Sequence, residues 1–213
     1  MMETNLNFPV QRVEDEAPLT HAEFMLFAPE TQKAELIEGE MFMSPPAFEE
    51  HERLQTLLMT ILKMYVSRYD LGEVRGSRTP IYISETQTYE PDILFVRRER
   101  THIITRQKLI EAPDLVIEIL SAATARYDRG VKLENYDKAG VQEIWLVDPY
   151  GPAGTQFFQR QQTRLIEVAP REGILYSVAV PNLQFRVAWL WPGADGKMAN
   201  PVAVLRDMGV LKE

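Results

Sequence analysis

Two nearly all-apolar segments constrain this chain most: DLVIEIL, opened by Pro113, and EIWLVDP, closed by Pro149. Between them runs SAATARYDRGVKLENYDKAG, a loop followed by a helical stretch that ends near Gly140. Strand, helix and strand over this length form a βαβ unit, a parallel pair joined by a right-handed crossover. Apolar runs with little alternation belong to strands covered on both faces. The chain is therefore expected to be α/β, built on a sheet with helices against it.

The flanking sequence fills in the rest. Thr20 reads as a helix N-cap, with Glu23 three residues on completing a capping box ahead of HAEFMLFA. AELIEGEMFMS is a strand–turn–strand signal bent at Gly39 and stopped by Pro45 and Pro46. From Phe48 to about Tyr69, Leu54, Leu57, Leu58, Ile61, Leu62 and Tyr65 recur at helical spacing. VRGSRTPIYIS reads as one strand bent at Pro80, and EPDILFVRR as another. TQFFQRQ, RLIEVAP, GILYSVAV and LQFRVAWLW read as short antiparallel strands. At 213 residues, without repeats or a low-complexity linker, one domain is expected over 19–191. A disordered lead-in over 1–18 and a C-terminal tail over 192–213 flank it.

Composition narrows the chemistry. There is no cysteine, which excludes disulfides, thiolate metal sites and a cysteine nucleophile, and fits a cytoplasmic location. No apolar run approaches the roughly 20 residues needed to cross a bilayer. The opening residues lack the basic start and apolar stretch of a secretory signal. The net charge of −8 counts against nucleic acid as a partner, since phosphate contacts favour basic surfaces. A metal site, however, concentrates acids that bound cations neutralise.

Three carboxylates require explanation. Glu118 lies inside DLVIEIL among Val116, Ile117, Ile119 and Leu120. There it must be paired, protonated or bound to metal, because an unpaired buried charge costs several kcal/mol or more. Asp92 opens an otherwise apolar strand, and two carboxylates from two strands can converge on one Mg²⁺ or Mn²⁺. Asp148, before Pro149, reads as a turn residue. Asp128, Lys132 and Tyr136 are spaced i, i+4, i+8 and lie near one helix face. A surface Asp128–Lys132 pair is the plainer expectation for two of them; a lysine reaching back to stabilise charge on a phosphate is the functional one.

The ordered set PDILFV, APDLVIEILSAAT and YDRGVKLENYDKAGVQEIWLVDP resembles the Uma2 family of restriction-type endonucleases (DUF820). The upstream LTHAEFMLF and AELIEGEMFMSPP, His51, and the later LQFRVAWLW match it in order and character. The resemblance runs from about Leu19 to Trp191. It implies a PD-(D/E)XK, restriction-endonuclease-like mixed sheet flanked by helices, with extra antiparallel strands at the C-terminal end. Pro91-Asp92 matches the PD of the signature and Glu118 its second acid. Leu120 stands where the lysine is expected, and the resemblance moves that role to Lys132 on the following helix. Glu38, in ELIEGE, resembles the acid placed ahead of PD. The metal set implied is thus Asp92, Glu118 and Glu38, with His51, Asp128 and Tyr136 as accessory residues. The activity implied is Mg²⁺- or Mn²⁺-dependent hydrolysis of phosphodiesters, with DNA as the expected substrate. Arg75, Arg78, Arg97, Arg98, Arg126 and Arg129 are candidates for phosphate contacts. A two-fold dimer, one site per strand, is expected for duplex cleavage. The alternative is a catalytically inactive member of the fold that binds nucleic acid or protein. In that case Glu118 and Lys132 form a structural pair.

Overall fold

The computed structural model describes residues 17–29 and 31–212; most of the expected lead-in over 1–18 lies outside them. Helix α1 (His21–Phe27) starts at Thr20, whose side chain and Glu23 form the capping box read from the sequence. Strands β1 (Ala34–Ile37) and β2 (Glu40–Met43) form a hairpin. Its two turn residues, Glu38 and Gly39, both have positive φ, at 54° and 79°. That is the backbone hand a two-residue hairpin demands. A Cβ at Gly39 would also lie 2.3 Å from the Pro18 side chain.

Helix α2 (Glu49–Tyr69) is the long helix expected from the spacing of its leucines, and Asp70 ends it in the left-handed conformation. VRGSRTPIYIS is not one bent strand. It contributes β3 (Gly72–Gly76) and β4 (Ile81–Ser84) to two different sheets. The segment between them contains Arg78 at φ 73°, so the chain turns there instead of bending at Pro80. Next come β5 (Gln87–Tyr89), β6 (Ile93–Arg97) and β7 (Leu115–Ile119). The crossover consists of α3 (Ala125–Tyr127), a π-turn over Asp128–Lys132 whose backbone leaves helical values at Gly130, and α4 (Leu133–Lys138). It leads to β8 (Glu143–Val147). Strands β9 (Gln156–Gln161), β10 (Arg164–Val168), β11 (Ile174–Tyr176) and β12 (Gln184–Arg186) follow.

The main sheet has the order β10-β9-β8-β7-β6-β3. The pair β7–β8 is parallel, as the βαβ reading requires, and its other pairings are antiparallel. A second sheet, β2-β1-β5-β4, lies beside it. Alternation along the central strands sorts their side chains into two cores. Ile93, Phe95, Leu115, Ile117, Ile119, Trp145 and Val147 pack with α2 and the C-terminal elements. Leu94, Val96, Val116, Ile144 and Leu146 pack with β4, β5 and α4.

The residues after Trp191 are more than a loose tail. Asn200 caps helix α5 (Pro201–Asp207), and Val204, Leu205 and Val210 are buried in the core that α2 lines. The later aromatic residues cover the sheet in the same way: Phe157 is buried, while Trp189 and Trp191 pack on the core and the Trp191 indole donates to Asp148 O at 2.8 Å. Asp148 accepts from the Tyr150 amide at 2.9 Å, the turn role read from its sequence.

The C-terminal part is fastened by Glu143, which is fully buried. Its carboxyl group accepts from the Trp145 indole (2.7 Å), the Ser177 hydroxyl (2.7 Å) and the amides of Val178 (2.7 Å) and Ala179 (2.9 Å). Glu143→Ala leaves these donors without a partner and should lower unfolding stability by at least about 3 kcal/mol. Urea denaturation checks it. A change within ~0.5 kcal/mol, the level of an ordinary surface substitution, would show that the segment is held by packing alone.

Candidate active site

The antiparallel register of β6 and β7 pairs Ile93 with Ile117. One step further, Asp92 comes opposite Glu118, at the end of the sheet where β7 finishes. Both are almost fully buried, at 3% and 2% exposure.

Asp92 is held from several sides. Its Oδ2 accepts from the Ile119 amide at 2.8 Å and lies 3.1 Å from His51 Nε2, near the start of α2. Its Oδ1 accepts from Lys33 Nζ at 2.8 Å. Gln55, one helical turn after His51, donates to the Asp92 carbonyl at 3.0 Å. Burial opposes ionisation here, but the Lys33 ammonium and His51 outweigh it and hold the carboxyl well below the usual range.

Glu118 meets a different cation. Lys132 Nζ lies 2.7 Å from Glu118 Oε1, 2.9 Å from Glu35 Oε1 and 2.9 Å from Asp128 Oδ1. The Tyr136 hydroxyl donates to Glu118 Oε1 at 3.0 Å. The π-turn makes this possible by bringing Asp128 and Lys132 inward together. They are buried at 2% and 1%, so the expected surface pair is an interior one. Burial alone would lower the lysine's pKa, but Asp128, Glu118 and Glu35 raise it well above normal. Burial pushes Glu118 and Asp128 upward, more than Lys132 can offset.

The structure therefore brings together Asp92, Glu118, Lys132, His51, Asp128 and Tyr136. It does not bring Glu38 to them: that side chain is exposed in the β1–β2 turn. The acid from this hairpin is Glu35, buried at 4%. It carried the same signal as Glu118, a charge set among apolar strand residues, here Ala34, Leu36 and Ile37. Lys33 and Glu90 were also missed. The Glu90 amide donates to Glu35 Oε1 at 2.8 Å, while its own Oε2 is buried without a hydrogen-bond partner among the described residues.

The arginines divide. Arg97 donates to the carbonyls of Ala179 (2.9 Å) and Val178 (2.6 Å), and Arg98 pairs with Asp70. Arg75 sits 3.8 Å from Glu73, and Arg78 is exposed. Arg129 bonds Gly154 O at 2.5 Å. Arg126 is exposed beside a cavity of about 380 Å³ also lined by Ile37, Phe42, Tyr127 and Val131.

Around two ammonium groups, Lys33 and Lys132, stand five buried carboxyl groups: Glu35, Glu90, Asp92, Glu118 and Asp128. Hard oxygen donors in excess over internal cations are the donor set that Mg²⁺ or Mn²⁺ takes. Among the described residues no three His, Asp or Glu form a ready-made cage. A cation here would rest on one or two carboxylates, with water or substrate oxygens completing its shell.

The family model described as "Putative restriction endonuclease", Uma2, matches residues 21–188. The chain belongs to the Uma2 family. An uncharacterized protein of Synechocystis (sll1609) is 28% identical over 135 residues, 62% of this chain and 76% of that protein. A crystal structure from Anabaena variabilis, described as "a putative nuclease belonging to DUF820", superposes with a TM-score of 0.67 at 20% identity. The match covers 81% of this chain and 97% of that one. The Uma2 chain thus shares the fold of the Anabaena protein, and the likeness extends over almost the whole of that protein. No described helix of this Uma2 protein is long and apolar enough to cross a membrane.

Glu90 gives this site a pH signature. Burial pushes its carboxyl up to about 7, only partly offset by Lys33 and Arg78. An unfolded glutamate titrates near ~4.3. Between these values the folded chain holds a proton that the unfolded chain has released, so this contribution to stability is lost as pH rises through the window. Glu90→Gln should therefore gain melting temperature over wild type at about pH 8 relative to about pH 5. An equal difference at both would place Glu90 outside the titrating set.

Proposed function

We propose that this protein is a cytoplasmic, divalent-metal-dependent endonuclease that hydrolyses phosphodiester bonds in DNA. The observation that carries the reading is the placement of Asp92 opposite Glu118, beside a lysine buried at 1%. Asp92 and Glu118 are the residues that would hold Mg²⁺ or Mn²⁺. The bound ion supplies Lewis acidity, lowering the pKa of water and neutralising charge on the scissile phosphate.

The chain's own groups prepare that chemistry. The Ile119 amide and His51 fix the Asp92 carboxylate against rotation, and the Tyr136 hydroxyl aims Glu118. Lys132 holds a permanent positive charge, beside which negative charge developing on a phosphate is stabilised in a site shielded from water. Arg126 and Arg129, exposed on the segment that carries Lys132, are the arginines we assign to phosphate contacts, which for Arg129 means exchanging its bond to Gly154 O.

One observation favours the second reading, an inactive nucleic-acid- or protein-binding member of the fold. Lys132 already has three carboxyl partners, as a purely structural ion cluster would. Cleavage of a plasmid substrate separates the two. With Mg²⁺ or Mn²⁺, Asp92→Asn and Glu118→Gln should each lower the rate by at least about a hundredfold while leaving the fold intact by circular dichroism. A wild-type protein that neither cuts nor gains melting temperature in millimolar Mn²⁺ would favour the inactive reading.

We also propose a two-fold dimer, one site for each strand of the duplex. The aromatic residues Phe157, Trp189 and Trp191 are packed on the core, but β10 is an edge strand and Ile166 on it is 44% exposed. Sedimentation equilibrium should give twice the chain mass of 24.5 kDa; a single species at the chain mass would rule the dimer out.

A further inference from the structure

Resting on the metal-site reading above, we propose that Lys33 is an internal occupant of the cation position on Asp92, and that a divalent ion binds by displacing it. The two lysines of the cluster are unequal. Lys132 is buried at 1% and touches three carboxyl groups, so moving it would strand all of them. Lys33 makes one ion pair, to Asp92 Oδ1, and its side chain is 22% exposed.

The surroundings allow the Lys33 side chain to leave with the loss of a single direct ion pair. Its backbone is pinned, because the Ser44 amide donates to the Lys33 carbonyl at 2.9 Å next to the β1–β2 hairpin. Only the flexible four-carbon side chain has to swing. When it does, Oδ2 keeps the Ile119 amide and His51. Oδ1, whose hydrogen-bond partner among the described residues is Lys33, is left as an open hard donor. The released ammonium regains its hydration, and the incoming ion replaces one positive charge with two in a region that holds more carboxyl groups than cations.

The Lys33 ammonium thus occupies the position beside Oδ1 that a cation would take. Metal affinity is therefore set by competition with an ammonium tethered to the site. Lys33 is a positioning residue in this scheme: it keeps the carboxylate charged and oriented, then yields.

Titration calorimetry with Mn²⁺ alone tests the exchange without any cleavage assay. Lys33→Met and the milder Lys33→Gln remove the competing charge. Each that folds should bind Mn²⁺ at least about tenfold more tightly than wild type, since a unit charge a few ångströms from the site opposes the ion directly. Lys33→Arg retains the charge with more donors and should bind no more tightly than wild type. Asp92→Asn should abolish the signal in every background. Equal or weaker binding by the Met and Gln variants, with wild-type binding still lost in Asp92→Asn, overturns the exchange and leaves the metal site standing. Absence of Mn²⁺ binding in all of them, or binding indifferent to Asp92→Asn, overturns the metal reading itself and the exchange with it.

Discussion

The structure depends on neutralising acids inside a small interior. Glu35, Glu118 and Asp128 are brought from a hairpin, a central strand and a π-turn to one ammonium, that of Lys132. Isolated, each carboxylate would cost several kcal/mol to bury. Together they require β1, β7 and the crossover helix to meet at one end of the sheet. The second sheet is held against the first partly through this polar contact, since β1 belongs to one sheet and β7 to the other. The apolar residues around the cluster, with Tyr89 and Tyr136 in edge-to-face contact 5.3 Å apart, keep water away and strengthen the charges they surround.

The π-turn is the local device that makes this geometry available. In a regular helix Asp128 and Lys132 would share a face, but that face need not point at the sheet. The backbone departure at Gly130 shifts the following residues relative to the preceding ones, and such bulges occur often at functional sites. The helix after it carries Tyr136 onto Glu118, so one crossover provides an acid, a base and a hydroxyl to a neighbouring strand.

Much of this was legible in the residues. Glu118 and Asp92 stand out because charge in an apolar strand has few explanations, and the parallel β7–β8 pair follows from the length between two apolar runs. The spacing of Asp128, Lys132 and Tyr136 places them together, though only tertiary context shows that they face inward. Which hairpin acid reaches Lys132 was not legible, because ELIEGE offers several glutamates within one turn of chain. Glu38, next to the positive-φ Gly39, is exposed at the cavity beside Arg126, while Glu35 alternates inward with Ile37. Lys33 was not legible: its partner is 59 positions away, and a lysine before a strand looks like any surface lysine. The division of VRGSRTPIYIS between two sheets is likewise a tertiary outcome, since either half has ordinary strand composition.

Glu143 carries a consequence for how the chain comes into being. It sits in β8, a central strand, yet its partners Ser177, Val178 and Ala179 lie more than thirty positions downstream. A nascent chain that has just emerged as far as β10 holds the sheet's central strands with this carboxyl group still facing an apolar interior. The ribosome must deliver the segment after β11 before the α2 face can close, and α5 then packs onto the same core. Late elements of the sequence thus control when early ones become committed. Folding of this domain is tied to the arrival of the segment around Ser177, without which the buried Glu143 carboxyl group lacks three of its donors.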